Sequence, residues 1–411
     1  MRRINFIGNK KLSLKPLSIF LLSILSCGAQ QPAFTIDAAT IARFFVNPSP
    51  EFINFLSNDK VPLKQWDGCL PAASSLHAQP AGIFSEVIKD GSGVEYTLGW
   101  ETPSAIKTDT GYPLIIYLHG GTGSPLTTKG EKAYDMLQPL ADSFSLFLAS
   151  PSANRFTPWW SPEGIERILQ TLRFMTMRYP INPDKVFLAG VSDGATGCYA
   201  AANTACGPFA GFIAVSGFGG MLPQVSMPLI PANIRQRPIY NVNAGKDRIY
   251  SISQVVQFLD WLKQNGVMID HKEYPDEQHG FDYRAREFGT LANYIRTWSK
   301  PTPVNGIEWT FVPGFPYCVD NLIDCVTDNT AQSIFIKASW ESDTLNISAG
   351  GMKEMIVSFL EVNKPVIFAK LSGNKPLKIR VLSPTALLAF KSMLHSGFPR
   401  ARLQTCYRIK F

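Results

Sequence analysis

A short apolar run, Val186-Phe187-Leu188-Ala189, leads into Gly190-Val191-Ser192-Asp193-Gly194 and then into a small-residue stretch of helical character, Ala195–Asn203. A strand that becomes a helix through Gly-x-Ser-x-Gly turns so tightly that only glycine fits on either side of the serine. The hydroxyl is thereby lifted clear of the backbone. Such a hydroxyl acts as a nucleophile when a base takes its proton and an acid holds that base in orientation. The acid expected is Asp247, in Ala244-Gly245-Lys246-Asp247 just past the strand Ile239–Asn243. The base expected is His279, in the loop Pro275–Phe281 that follows the strand His271–Tyr274. The chain has five histidines, and His279 alone sits in a loop after the last strand of this region. His271 is inside a strand, His77 precedes the sheet and His395 lies in a later segment.

Upstream, the strand Leu114–Leu118 opens into His119-Gly120-Gly121-Thr122-Gly123. A glycine-rich loop at that point exposes backbone N–H groups where the oxyanion of a tetrahedral intermediate would form. His119 reads as structural, holding the loop. Trp159-Trp160, in the loop after the strand Leu146–Ala149, reads as a stacking wall for a substrate or as packing beneath the next helix.

The elements that must position these residues alternate. A hairpin, Ile83–Lys89 and Val94–Trp100, turns at Asp90-Gly91-Ser92-Gly93. The strands already named are interleaved with helices at Lys129–Phe144, Pro162–Tyr179, Ala195–Asn203 and Val255–Asn265, with a further strand at Phe212–Val215. Strands of four to six apolar residues separated by helices predict a mostly parallel sheet covered on both faces, an α/β fold. Gly219–Arg237 separates two strands, and at 19 residues it is too short for a large lid, so an open pocket is expected.

The segments YPLIIYLHGGTGS, VFLAGVSDGATG, NAGKDRIYS and YPDEQHGFDY resemble an α/β-hydrolase of the exported esterase type over residues 83–300. The groups it is similar to are feruloyl-esterase-like, polyhydroxyalkanoate-depolymerase-like and prolyl-oligopeptidase-like hydrolases. The resemblance implies that Ser192 is the nucleophile, His279 the general base and then acid, and Asp247 its orienting partner. It also implies an oxyanion hole made by the N–H of Asp193 with that of Gly121 or Thr122. Thr122 stands where an HGGG-type loop has its third glycine, which leaves the second donor open.

Residues 1–26 carry five Lys/Arg and no acid, then an apolar stretch Leu17–Leu25. That pattern is a signal sequence, and nine apolar residues fall well short of the ~20 that span a bilayer. Ile24-Leu25-Ser26-Cys27-Gly28 resembles a bacterial lipobox, with Cys27 lipidated; cleavage after Ala29 and an uncleaved anchor are the other readings. Each exports the protein. Of the +7 net charge, five units belong to this leader, so the balance gives no reason to invoke nucleic acid. With 45% hydrophobic and 17% charged residues, a disordered or fibrous protein is excluded, and because only the N-terminal apolar run approaches membrane length, so is a polytopic membrane protein.

Seven cysteines without a CxxC pair imply no metal site, and no cofactor is expected. Once Cys27 is set aside, six remain for up to three disulfides in an oxidising compartment. Cys318–Cys325 is a natural local pair, and Cys198–Cys206 is possible if the intervening helix ends early. Residues 27–82 form a prelude with a helix around Ile41–Phe45. After Lys300-Pro301-Thr302-Pro303 the pattern becomes β-rich, so residues 301–411 are expected as a small second domain. It includes a hairpin Val366–Leu371/Leu377–Leu382 and a helix from Ser383 to Leu394.

The function expected is an exported serine hydrolase of small or polymer-linked carboxylic esters, tethered to the cell envelope through Cys27. The alternatives are a peptidase with the same triad and a surface binding protein on a hydrolase scaffold. The short stretch before the hydrolase strands, too small for a substrate-filtering propeller, favours esters over peptides.

Overall fold

The computed structural model describes residues 2–7, 81–106, 111–301, 306–320, 322–327, 333–341, 344–357, 366–372, 378–381 and 407–408. The expected lipidation site Cys27, the helix at 41–45, Cys69, Cys406 and the helix at 383–394 lie outside these residues.

The apolar runs become the central strands of one sheet because each can bury both faces, while the edge strands stay largely exposed. The strands are β1 Ile83–Lys89, β2 Glu95–Glu101, β3 Tyr112–Leu118, β4 Phe147–Pro151, β5 Ile181–Val191, β6 Gly211–Val215, β7 Ile239–Ala244 and β8 Ile269–Tyr274. Their order across the sheet is β1-β2-β4-β3-β5-β6-β7-β8. The pairs β1–β2 and β2–β4 are antiparallel, and every pairing from β4 to β8 is parallel. Leu114, Ile115, Ile116, Leu118 and Leu188 are wholly inaccessible to solvent, and full burial of such a side chain stabilises by about 1.5–3 kcal/mol.

Helices cover both faces: α1 Gln138–Phe144, α2 Pro162–Arg178, α3 Asp193–Thr204, α4 Ile252–Gln264 and α5 Arg284–Thr297. α2 begins as its sequence dictates, with Ser161 Oγ capping the Gly164 N–H at 3.0 Å and Pro162 in the first turn. Its Ile165, Ile168, Leu169, Leu172 and Met175 all face the core. The expected helix Lys129–Phe144 is a correction. Its first half, Lys129–Leu137, is a 3-10 segment broken at Lys132. There Gly130 lies so close to β4 that a Cβ would stand 2.3 Å from the Pro151 carbonyl oxygen. A buried ion pair ties the β1–β2 turn to α2. Both Arg167 Nε and Nη2 donate to Asp90 Oδ2, at 3.1 and 2.8 Å, with both side chains essentially inaccessible.

The C-terminal strands are β9 Gly306–Thr310, β10 Pro316–Tyr317, β11 Leu322–Thr327, β12 Phe335–Glu341, β13 Thr344–Gly350, β14 Met352–Val357, β15 Val366–Ser372, β16 Lys378–Val381 and β17 Tyr407–Arg408. The expected β15/β16 hairpin does not form. β15 pairs parallel with β13, and β16 pairs parallel with β14 in a different sheet. A turn-forming Ser-Gly-Asn between two runs favours a hairpin locally, but distant pairing decides the outcome. The N-terminal strand Arg2–Ile7, the basic start of the expected leader, lies antiparallel to β15 at the edge of this sheet.

These strands do not stand apart from the eight-stranded sheet. Trp309, Phe311, Tyr317 and Val319 belong to the same buried cluster as Phe209 and Phe212. Arg237, almost wholly buried, donates to the carbonyls of Phe209 and Gly207 and pairs with Asp320, whose carboxylate Lys300 also reaches at 3.2 Å.

Candidate active site

Every element that carries a candidate residue ends on one edge of the parallel sheet. The loops after β3, β5, β7 and β8 carry His119–Gly123, Ser192, Asp247 and His279, at the carboxyl ends of the strands where α/β sheets place their sites. Because β3 and β5 are neighbours, the glycine-rich loop lies beside the serine. An ideal Cβ on Gly120 would stand 3.0 Å from Ser192 Cβ.

Ser192 sits at φ 55°, ψ −120°, between β5 and α3. A non-glycine residue at positive φ is strained, and such strain persists only where the surroundings enforce it. Here they do. A Cβ on Gly190 would lie 2.4 Å from the Gly194 carbonyl carbon, and one on Gly194 would lie 1.9 Å from the Leu118 oxygen.

The structure brings the three separated residues into one relay. His279 Nε2 is 2.9 Å from Ser192 Oγ, and His279 Nδ1 is 2.7 Å from Asp247 Oδ2. A carboxylate only accepts, so the ring proton is on Nδ1 and Nε2 is left to accept from the serine hydroxyl. Asp247 is held in turn. Its Oδ1 accepts the N–H groups of Ile249 at 2.8 Å and Tyr250 at 2.9 Å, and its side chain is about 1% exposed. The loops after β7 and β8 are themselves joined, the Lys246 N–H donating to Glu277 O at 2.9 Å. Asp282, three residues past His279, is exposed, and bonds from the Arg284 side chain and N–H hold its carboxyl down at about 2.

The oxyanion donors need a correction. The Thr122 N–H is already committed to Asp193 Oδ2 at 2.7 Å, and the Thr122 hydroxyl reaches the same oxygen at 2.9 Å. Among the described residues, the N–H groups of Gly121 and Asp193 have no protein acceptor. Gly121 takes a φ of 65°, which favours glycine, and its carbonyl accepts from Lys129 Nζ at 2.6 Å.

His119 is structural. Its Nδ1 bonds the Gly120 carbonyl at 2.8 Å and its Nε2 accepts from the Ala153 N–H at 3.0 Å, joining the loops after β3 and β4. Burial lowers its pKa to about 4, so the ring is neutral. Trp159 is a second correction. It is wholly buried, its Nε1 donates to the His119 carbonyl at 2.9 Å, and it packs on α3 where Gly197 leaves room for it. Such a ring offers no surface to a substrate. Trp160 is half-buried against the same core.

The Cys198–Cys206 pairing is a third correction: the helix does end before residue 206, but both are buried thiols. Cys198 Sγ lies 3.6 Å from the Ile213 carbonyl oxygen and 3.7 Å from that of Leu188, and burial pushes the Cys206 thiol up to about 12. Cys318 is buried as well, and the side chain of Cys325 lies outside the described residues. Two groups beside the relay were not singled out from sequence, the Asp193 carboxylate and Tyr250. Both stood within the quoted motifs, but nothing in their spacing showed where they would point.

Two antiparallel strands running into a parallel sheet, with a strained serine elbow after the central β5, define an α/β-hydrolase fold. Residues 153–300, the stretch that holds Ser192, Asp247 and His279, match the model of the Dienelactone hydrolase family, which supports a hydrolase. No curated protein matches the sequence. Solved structures similar to it include a thermostable esterase at 19% identity, covering 53% of this chain and 63% of that one with a TM-score of 0.43. A substrate-bound fluorophosphonate-binding serine hydrolase F from Staphylococcus aureus is 15% identical, covering 53% and 99% with a TM-score of 0.43. The acylaminoacyl peptidase of Pyrococcus horikoshii is 14% identical, covering 55% and 43% with a TM-score of 0.44.

Proposed function

We propose that the protein is an exported serine hydrolase that cleaves carboxylic esters through an acyl-enzyme. The observation that carries this reading is the continuous relay Ser192 Oγ–His279–Asp247, with distances of 2.9 and 2.7 Å. Ser192 attacks the ester carbonyl while His279 Nε2 takes its proton. The oxyanion is met by the N–H groups of Asp193 and Gly121. His279, now charged and held against Asp247, returns the proton to the leaving alcohol. A water molecule then follows the same route in reverse and releases the acid.

Leu126 and Phe156 are exposed on the loops after β3 and β4, which the Arg155 N–H joins to Ser124 O at 3.0 Å. An open pocket is supported by Gly219–Arg237 being short and anchored in the core by the buried Leu222, Met227 and Ile234. An amide's poorer leaving group demands closer positioning of the departing nitrogen than an open pocket supplies, so esters are preferred.

The test is direct. Purified protein should hydrolyse p-nitrophenyl acetate or butyrate, leave aminoacyl-nitroanilides uncut, and take a fluorophosphonate label that Ser192→Ala abolishes. Efficient cleavage of a dipeptidyl nitroanilide would replace the ester reading with a peptidase. Export with a lipid on Cys27 is tested by metabolic palmitate labelling, which Cys27→Ala should remove; an unlabelled wild type means simple secretion. Cleavage there also removes Arg2–Ile7 and leaves β15 as a sheet edge.

A further inference from the structure

The chemistry above uses the backbone of Asp193 and leaves its side chain without a task, yet that carboxylate touches two neighbouring loops. Oδ2 accepts the Thr122 N–H at 2.7 Å and the Thr122 hydroxyl at 2.9 Å. Oδ1 faces the Tyr250 hydroxyl at 3.4 Å. Tyr250 sets its ring edge-on to His279, with centroids 5.7 Å apart, and donates its N–H to Asp247 Oδ1. One carboxylate at the start of α3 therefore joins the loop after β3, the nucleophile turn and the loop after β7. A negative charge is favoured in the first turn of a helix, and hydrogen bonds to a charged acceptor are the stronger kind.

The loop it holds needs holding. Gly120 and Gly121 have no side chains to pack, and glycine is the residue with most backbone freedom to lose. Lys129 secures one side, through the Gly121 carbonyl, and Thr122, nearly inaccessible, is secured on the other side by Asp193. Between these two anchors lies the Gly121 peptide N–H, which has no acceptor of its own among the described residues.

We infer that the Asp193 side chain is a positioning residue: by binding both donors of Thr122 it locks the glycine-rich loop so that the Gly121 N–H stays aimed at the developing oxyanion beside Ser192. The inference rests on Ser192 being the nucleophile. A carboxylate that merely stabilised the start of a helix would change the melting temperature and leave turnover per active serine alone.

The experiment compares wild type, Asp193→Ala and Asp193→Asn on p-nitrophenyl acetate, with kcat expressed per serine titrated by a fluorophosphonate and thermal melts run alongside. Removing one oxyanion donor outright costs about 10²–10³ in turnover, so loosening one should cost about 30- to 100-fold in kcat for Asp193→Ala, with KM within about threefold. Asp193→Asn, whose amide oxygen still accepts from Thr122, should recover about tenfold of that loss. Wild-type kcat in Asp193→Ala, a loss confined to KM, or an Asn variant as poor as Ala overturns the inference. Should Asp193→Ala not fold, Thr122→Val carries the test, since it removes one of the two bonds to the same oxygen. A fall of about three- to tenfold in kcat supports the inference, and no change overturns it. A wild type that takes no fluorophosphonate sinks the nucleophile reading itself, and this inference with it.

Discussion

Replacing Asp247 with Asn changes one atom's hydrogen-bonding sense and almost nothing else. Oδ1 accepts two backbone N–H groups, from Ile249 and Tyr250, and the amide oxygen of Asn can keep both. The amide nitrogen then occupies the place of Oδ2, 2.7 Å from His279 Nδ1. Two donors cannot share that contact, so the imidazole moves its proton to Nε2. That nitrogen now donates toward Ser192 Oγ instead of accepting from it, and the serine loses its base. In a triad of this kind the wrong tautomer lowers kcat by about 10⁴, equivalent to about 5 kcal/mol of transition-state stabilisation at 1.36 kcal/mol per tenfold. Folding should be little affected, because the buried carboxylate's backbone partners stay satisfied. Initial rates on p-nitrophenyl acetate, a thermal melt and the rate of fluorophosphonate labelling would be measured on the same preparation. A melt near wild type with kcat down by more than about a thousandfold is the expected result. A kcat within tenfold of wild type would refute the relay as drawn, and a collapsed melt would refute the claim that Asp247 is free of structural work beyond its loop.

Ser192→Ala and His279→Ala should each remove almost all turnover, and the double variant should be hardly worse than either, because nucleophile and base act as one unit; additive losses in kcat would contradict this. Arg167→Ala leaves Asp90 buried without its charge partner and should destabilise by about 3–5 kcal/mol in a denaturant titration, while a loss under 1 kcal/mol would mean the turn relaxes into water. His119, held near 4 by burial against an ordinary 6.5, makes a pH-dependent contribution to stability. The unfolded chain takes up the proton first, so that contribution is fully present above about pH 6.5 and is lost at about 1.4 kcal/mol per unit as pH falls toward 4. His119→Asn should flatten that part of the stability–pH curve, and an unchanged slope would assign the effect to other groups.

What could be read in advance was local or fixed by chain order. The glycines around Ser192 are legible because a Cβ at either would collide with backbone, so the motif states its own geometry. Asp247 and His279 are legible because each follows a strand, and parallel strands deliver their following loops to one edge. Trp159 was not legible, since two adjacent aromatics give no direction; it is the space at Gly197 on another helix that takes the ring inward. Nor was the tie between Asp193 and Thr122, whose partners are 71 residues apart. The C-terminal strands were recognised as strands but mispaired, because a turn signal between β15 and β16 says nothing of β13 and β14, which they join instead.

The C-terminal segment bears on the site through the sheet it steadies. Arg237 stands two residues before β7, the strand that delivers Asp247, and its guanidinium is satisfied jointly by carbonyls of the hydrolase fold and by Asp320 beyond it. Asn233 links the same region to β9, donating to the Thr310 carbonyl at 2.7 Å and accepting the Thr310 N–H at 3.0 Å. The entry to β7 is therefore fixed partly by residues after 300, and the position of Asp247 at its far end depends on that strand's register with β6 and β8. A hydrolase unit cut at residue 300 would leave the nearly inaccessible Arg237 without its carboxylate and would uncover the apolar cluster around Phe209 and Phe212. Breaking such a buried pair is costly because the remaining charge has no partner. The β-rich segment is, on these contacts, part of the support of the sheet that carries Asp247.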